Sequence, residues 1–150
     1  MSIALPQRTP CPFCEYIAGR RSWVVVFRNT RIASFVNTRQ YAKGALLIIP
    51  LRHAPTIFEL TRDELGAIGQ HAQELTYALQ HAYQPAGYNI FQNNGLVAGQ
   101  SIPHYHLHIV PRYGGEEANR IFGEQNMEKT PLDQQLVIAK EIKQHLRTSE

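Results

Sequence analysis

Short apolar runs fill the first third of the chain, and a helical spacing of apolar residues appears in two later stretches. Trp23 to Phe27 and Arg31 to Val36 flank Arg28-Asn29-Thr30, which reads as two strands joined by a tight turn. Ala45 to Ile49 is a continuous aliphatic run of strand length. Thr61-Arg62-Asp63-Glu64 has the form of a capping box, and Leu60 with Leu65 forms a candidate hydrophobic staple. Leu65, Ile68, Ala72, Leu75, Leu79 and Ala82 then recur at three- and four-residue steps until Pro85 and Gly87. That spacing predicts one long amphipathic helix, with His71 and His81 on its solvated side. Gly87 to Gln92 predicts a further strand, and Thr130-Pro131 opens a second helix over 131–147 with Leu132, Leu136, Ala139, Ile142 and Leu146 at helical spacing, which either packs on the sheet or helps form a dimer.

One stretch, Asn93 to Arg112, carries the chemistry. His104, His106 and His108 alternate with Tyr105, Leu107 and Ile109. A strand with period two puts the three imidazoles on one face and anchors Tyr105 and Leu107 in a core on the other. A row of imidazoles without a ligand costs desolvation and, on protonation, mutual repulsion, so the pattern points to function. Two chemistries suit it: a three-histidine metal site, or attack on phosphorus by a neutral imidazole of ordinary pKa about 6.5. Asn93, Gly95, Gly99, Gln100 and Ser101 predict a turn that brings polar groups to the head of the row.

Composition narrows the field less. The 150 residues are expected to form one α+β domain, residues 1–150, with an N-terminal tail over 1–10 and a mobile loop over 113–130. A net charge of +3 with scattered lysines and arginines forms no basic stripe and suits small anions equally well, and no nucleic-acid partner is expected. Residues 1 to 10 lack a secretory signal and no apolar run reaches membrane-spanning length, so a cytoplasmic protein without a membrane partner is expected. Cys11 and Cys14, in Cys-Pro-Phe-Cys, admit three readings: a redox pair, half of a zinc site, or two reduced thiols. No strand precedes them, which disfavours the redox reading.

His104-Tyr105-His106-Leu107-His108-Ile109-Val110 resembles the signature of the histidine triad family, and Asn93 with Gly99-Gln100-Ser101 resembles its phosphate loop. Phe35-Val36-Asn37 and Gly44 to Pro50 extend the likeness, while Val36-Asn37, Pro50-Leu51-Arg52 and Val110-Pro111-Arg112 look most like the dinucleoside polyphosphate hydrolase branch. The resemblance implies a sheet of about five mainly antiparallel strands with one long and one C-terminal helix, usually as a homodimer. It implies cleavage at the α-phosphate of an adenosine dinucleoside polyphosphate or a nucleoside phosphoramidate through a nucleotidyl-histidine. A binding module without turnover, or a zinc-stabilised interaction protein, is the alternative.

Carried over residue by residue, the resemblance gives His106 the nucleophile's role beside His104 and His108. Asn93, Gln100, Ser101 and His108 would bind phosphate, and Asn37 the ribose of an adenine or other purine nucleotide. Asn93 departs from the branch, which often carries a longer amide there. Some members of the family it resembles that have an early Cys-x-x-Cys hold structural zinc, which maps here to Cys11, Cys14, His53 and His104.

Overall fold

The computed structural model describes residues 2–115 and 128–147. The part of the expected loop that spans 116–127 lies outside the described residues. Five strands form the sheet: Val25–Arg28 (β1), Ile32–Val36 (β2), Leu46–Pro50 (β3), Gly87–Phe91 (β4) and Leu107–Arg112 (β5). Their order is β1-β2-β3-β5-β4 with every neighbouring pair antiparallel, so the fold is α+β as expected. β5 sits between β3 and β4, with His108 opposite Leu47 on one side and Phe91 on the other. Helix α1 (Pro12–Ile17) precedes the sheet, α2 (Arg62–Tyr83) links β3 to β4, and α3 (Leu132–Lys143) follows β5.

Alternation along the strands sorts the residues into two cores. Ile32, Val36, Leu46, Ile48 and Ile109 pack under the long helices with Ile68, Leu75, Leu79 and Ile142. Ala33, Phe35, Leu47 and Ile49 point the other way and meet Phe13 of α1 and Ile102. The period of two thus reserves one face for stability and the other for a site bordered by α1. Tyr105 lies in the helix-side core, as its place in the pattern predicted.

The start of α2 is fixed as its sequence predicts. Thr61 Oγ accepts from the Glu64 backbone N–H at 3.1 Å, and the Glu64 carboxylate accepts from the Thr61 N–H at 2.9 Å. Arg52 also donates twice to Glu64, at 2.9 Å each, and the guanidinium holds that carboxyl below its usual pKa range. Arg52 precedes His53, so the capping box anchors the segment that carries His53. Gly44, at φ +97°, enters β3 where a Cβ would stand 2.9 Å from Leu79. Both the left-handed backbone and the close approach require glycine there.

Two expectations about α2 are corrected, at His71 and Leu65. His71 is buried rather than solvated: its Nε2 lies 2.7 Å from Ser34 Oγ and its Nδ1 3.1 Å from Glu74 Oε2. These two bonds stabilise a polar ring beneath the sheet, where burial lowers its pKa. Ser34 is fully buried, so this Ser-His-Glu row offers a substrate no access. Leu65 is 37% exposed, outside the inward stripe of α2, where Glu64 turns in with Ile68 to meet Arg52. In α3, Leu132 and Leu136 face outward and Gln135, Ile138, Ala139 and Ile142 inward. Gln135 tolerates its buried place because its Nε2 donates to the Thr130 carbonyl at 2.8 Å.

Candidate active site and metal cluster

β5 begins only at Leu107, so His104 and His106 lie in an irregular lead-in and the three histidines do not form one strand row. The Tyr105 N–H donates to Ala54 O at 2.7 Å, which fastens the lead-in to the chain after β3. The His104 ring is fully buried and turns toward α1, with Nε2 2.8 Å from Pro50 O and Nδ1 3.6 Å from both Cys11 Sγ and Cys14 Sγ. Cys14 Sγ stands 3.2 Å from His53 Nδ1. The four candidate ligand atoms of Cys11, Cys14, His53 and His104 all lie within 4.8 Å of one another.

That cluster has the dimensions of a closed tetrahedral site. Zn–S and Zn–N bonds of about 2.3 and 2.0 Å separate sulfur from nitrogen by roughly 3.5 Å. Donation from His104 Nε2–H to Pro50 O leaves Nδ1 unprotonated, the form a metal requires. Burial lowers the His104 pKa to about 4 and raises the Cys14 thiol to about 11, the latter aided by Cys11. A cation held among them would reverse the thiol's preference. The four residues can hold a metal ion.

His106 and His108 border the opposite side, a cavity of about 590 Å³. His106 Nδ1 lies 2.7 Å from the backbone oxygen of its neighbour His104, so Nδ1–H donates and Nε2 keeps its lone pair. Phe13 packs edge-on against both rings, with centroids 5.8 Å from His104 and 5.2 Å from His106. The His108 ring stacks on Phe91 at 4.4 Å and meets His106 at 4.9 Å. Burial, then the proximity of His106, lowers its pKa to about 3, so it is neutral at pH 7. Its Nδ1 is enclosed without a protein partner, and the ring borders the cavity.

The remaining expected residues divide. Asn37, just beyond β2, borders the cavity; its Oδ1 accepts from Arg39 N–H at 3.1 Å and its amide nitrogen has no protein partner. Ser101 also borders the cavity and is exposed. Gln100 is buried with its amide fully engaged: Oε1 accepts from Gly95 N–H at 2.6 Å, and Nε2 donates to Pro55 O and Ile102 O at 2.7 and 2.9 Å. It therefore shapes the loop that presents Ser101. Asn93 stands at the loop's base with Nδ2 3.5 Å from Gly99 O, away from the cavity lining.

Two residues here escaped the sequence reading. Phe13 and Tyr16 of α1 border the cavity with Phe35 and Leu47 and give it an aromatic wall. Their only sequence signal was the i, i+3 spacing of two aromatics in a segment that reads as a single helical turn.

The antiparallel sheet carries triad histidines beside a cavity of about 590 Å³, and comparison with known proteins identifies its family. The HIT domain family matches residues 20–115, and the chain belongs to that family. Protein hit of Bacillus subtilis is 40% identical over 105 residues, which cover 69% of this chain and 72% of that one. Adenosine 5'-monophosphoramidase hnt1 of Schizosaccharomyces pombe is 31% identical over 102 residues, 68% of this chain and 74% of that one. A crystal structure of a Hit-like protein from Bartonella henselae shares the fold with a TM-score of 0.81 at 22% identity, over 94% of this chain and 99% of its own.

Proposed function

We propose that the chain is a nucleotide hydrolase or transferase acting at the α-phosphate of an adenosine dinucleoside polyphosphate or a nucleoside phosphoramidate. The observation that carries this reading is the His106 Nδ1 contact with the His104 carbonyl, which fixes the tautomer and direction of a ring that borders the cavity. The Nε2 lone pair attacks the α-phosphorus and a P–N bond forms. The bond from phosphorus to the leaving group breaks with its electron pair, and the leaving group takes up a proton from solvent. Water then displaces the histidine, releasing the nucleotide and the neutral imidazole.

The other residues position and neutralise. His108 Nε2–H and the Ser101 hydroxyl donate to nonbridging phosphate oxygens, where charge develops. Gln100 serves the phosphate through the loop it braces, and Asn93 closes that loop's base. The Asn37 amide, which lacks a protein partner, suits a ribose hydroxyl, and a purine suits the wall of Phe13, Tyr16, Phe35 and Leu47. Zinc at Cys11, Cys14, His53 and His104 would be structural, since four protein ligands leave no open position. A homodimer through the free edge of β4, where Ile90 is 48% exposed, would extend the sheet.

The test measures AMP release from diadenosine tetraphosphate and from adenosine 5'-phosphoramidate, with trapping of the labelled protein. Release of AMP together with an adenylylated His106 supports the reading. Nucleotide binding without release from either substrate, or turnover retained in His106→Ala, overturns it.

A further inference from the structure

The connection between β2 and β3 is closed around Gln40, a side chain that does not border the cavity. Its amide nitrogen donates to Asn37 O at 2.8 Å and to Ala45 O at 2.9 Å. Its Oε1 accepts from the Gly44 and Ala45 N–H groups at 2.8 and 3.2 Å. These partners admit one orientation of the amide, because carbonyls only accept and backbone N–H groups only donate, and they use both its N–H bonds and both its lone pairs. The Asn37 N–H also donates to Ala45 O, at 3.0 Å. Both backbone polar groups of Asn37 are therefore held, the N–H by Ala45 and the carbonyl by Gln40.

The Asn37 side chain is oriented in turn. Its Oδ1 accepts from the Arg39 N–H at 3.1 Å, which assigns the other branch of the amide to Nδ2. That nitrogen is enclosed and has no partner among the described residues, although Asn37 is only 3% exposed and borders the cavity. A buried donor without a mate is costly, and the Gln40 brace keeps it from relaxing toward a partner of its own. Other contacts hold the same connection elsewhere: Tyr113 OH donates to Lys43 O at 2.8 Å, and Thr130 N–H to Thr38 O at 2.7 Å. Gln40 differs from them in holding Asn37 itself.

We propose that Gln40 is a positioning residue that aims the Asn37 amide at a ribose hydroxyl and so sets the preference of the site for ribonucleotides over nucleotides that lack those hydroxyls. It rests on the reading of Asn37 as the ribose ligand. Without the bond from Gln40, the Asn37 carbonyl and the turn through Arg39 are released, and the donor no longer has one direction.

Calorimetry on the full-length protein compares AMP with 2',3'-dideoxy-AMP. The two share base and phosphate, so their affinity ratio isolates the hydroxyls. AMP is expected to bind the native protein about fivefold more tightly, the contribution of one hydrogen bond. Gln40→Glu keeps the side chain's size and its two accepted bonds and loses the two donated ones, and the ratio should fall toward one. The added charge acts on both ligands alike and leaves the ratio to report the hydroxyls. Gln40→Leu removes the amide without adding charge and should give the same result; it replaces Gln40→Glu if that variant lacks native circular dichroism. Asn37→Ala should also bring the ratio to one, with Gln40→Glu adding nothing on that background. Tyr113→Phe loosens the same connection at Lys43 and should lower the melting temperature while the ratio stays native. A ratio lost in Asn37→Ala but kept in the Gln40 variants overturns the proposal and leaves Asn37 as ribose ligand. An equal fall in Tyr113→Phe overturns it too, because Gln40 would then support the loop in general. A native ratio of one overturns the ribose role of Asn37 together with the proposal, and leaves the His106 nucleophile to its own test by AMP release.

Discussion

The imidazole of His106 donates from Nδ1 to the backbone oxygen of His104, 2.7 Å away, while the side chain of that same His104 faces Cys11 and Cys14 on the other side of the chain. One residue therefore orients the nucleophile through its carbonyl and joins the metal cluster through its ring. A histidine whose Nδ1–H has a fixed acceptor presents Nε2 in one tautomer and one direction, which lowers the entropy lost on the way to attack. His106→Ala is expected to lose AMP release by at least about a thousandfold, because it removes the imidazole assigned to the P–N bond. His106→Gln should do no better, since an amide accepts a hydrogen bond but is not a nucleophile. Circular dichroism and thermal melting should be little changed for both variants; turnover within tenfold of native in either would remove His106 from the chemistry.

The cluster's effect on the site is testable through metal removal. Binding of one ion by Cys11, Cys14, His53 and His104 would join α1, the segment after β3 and the histidine lead-in. Zinc content near one per chain is expected by elemental analysis, with Cys14→Ser reducing metal affinity by at least about tenfold. The melting temperature should fall on chelation, and turnover should fall with it because the His104 carbonyl loses its fixed position. A chain purified without metal, and with a melting curve indifferent to added zinc, would refute the metal reading.

Much of this arrangement was legible because local pattern and tertiary role agree. The capping box at Thr61 and Glu64 follows from local spacing, and the α+β class with its largely antiparallel sheet follows from the order of the elements. Legibility ended where a side chain's partner lies far along the chain. His71 read as solvated because nothing local signals Ser34, 37 residues earlier, and nothing local signals the bond from Gln100 to Pro55, 45 residues earlier. The alternation of His104 with His106 and His108 suggested a single strand, but pairing starts at Leu107 and His104 is drawn to the cysteines. In α3 the exposed Leu132 and Leu136 fit a helical stripe as well as Gln135 and Ile138 do, so periodicity alone could not choose the face.

The buried His108 makes stability depend on pH in a definite direction. Its pKa is lowered from 6.5 to about 3 in the folded protein, so between those values the unfolded chain binds a proton that the folded chain does not. Stability from this group is fully present above pH 6.5 and is lost as pH falls toward 3, by up to about 1.4 kcal/mol per pH unit inside the window. His104 and His71 shift in the same direction. Chemical denaturation at pH 7.5 and pH 5.0 should therefore give a lower midpoint at pH 5.0, and His108→Gln should flatten that difference. A midpoint that rises on acidification would contradict the neutral, enclosed state of His108.

The pair buried beneath the sheet away from the cavity separates stability from chemistry. Ser34 Oγ and His71 Nε2, 2.7 Å apart, join β2 to α2 with neither group reachable from solvent. Ser34→Ala leaves the His71 ring facing a methyl group, so one buried polar atom loses its partner at a cost of about 1–3 kcal/mol. For a chain of this length that corresponds to a melting temperature lower by roughly 2–4 °C per kcal/mol. AMP release should be unchanged at a temperature where both proteins are folded, because Ser34 points to the helix side while Ala33 and Phe35 point to the cavity side. The double variant Ser34→Ala with His71→Leu removes both polar partners and should recover part of the loss, since no donor or acceptor is then left without a mate. A fall in turnover without a fall in melting temperature would mean that this buried bond acts on the nucleotide site through β2, and the two faces of the sheet would no longer be independent.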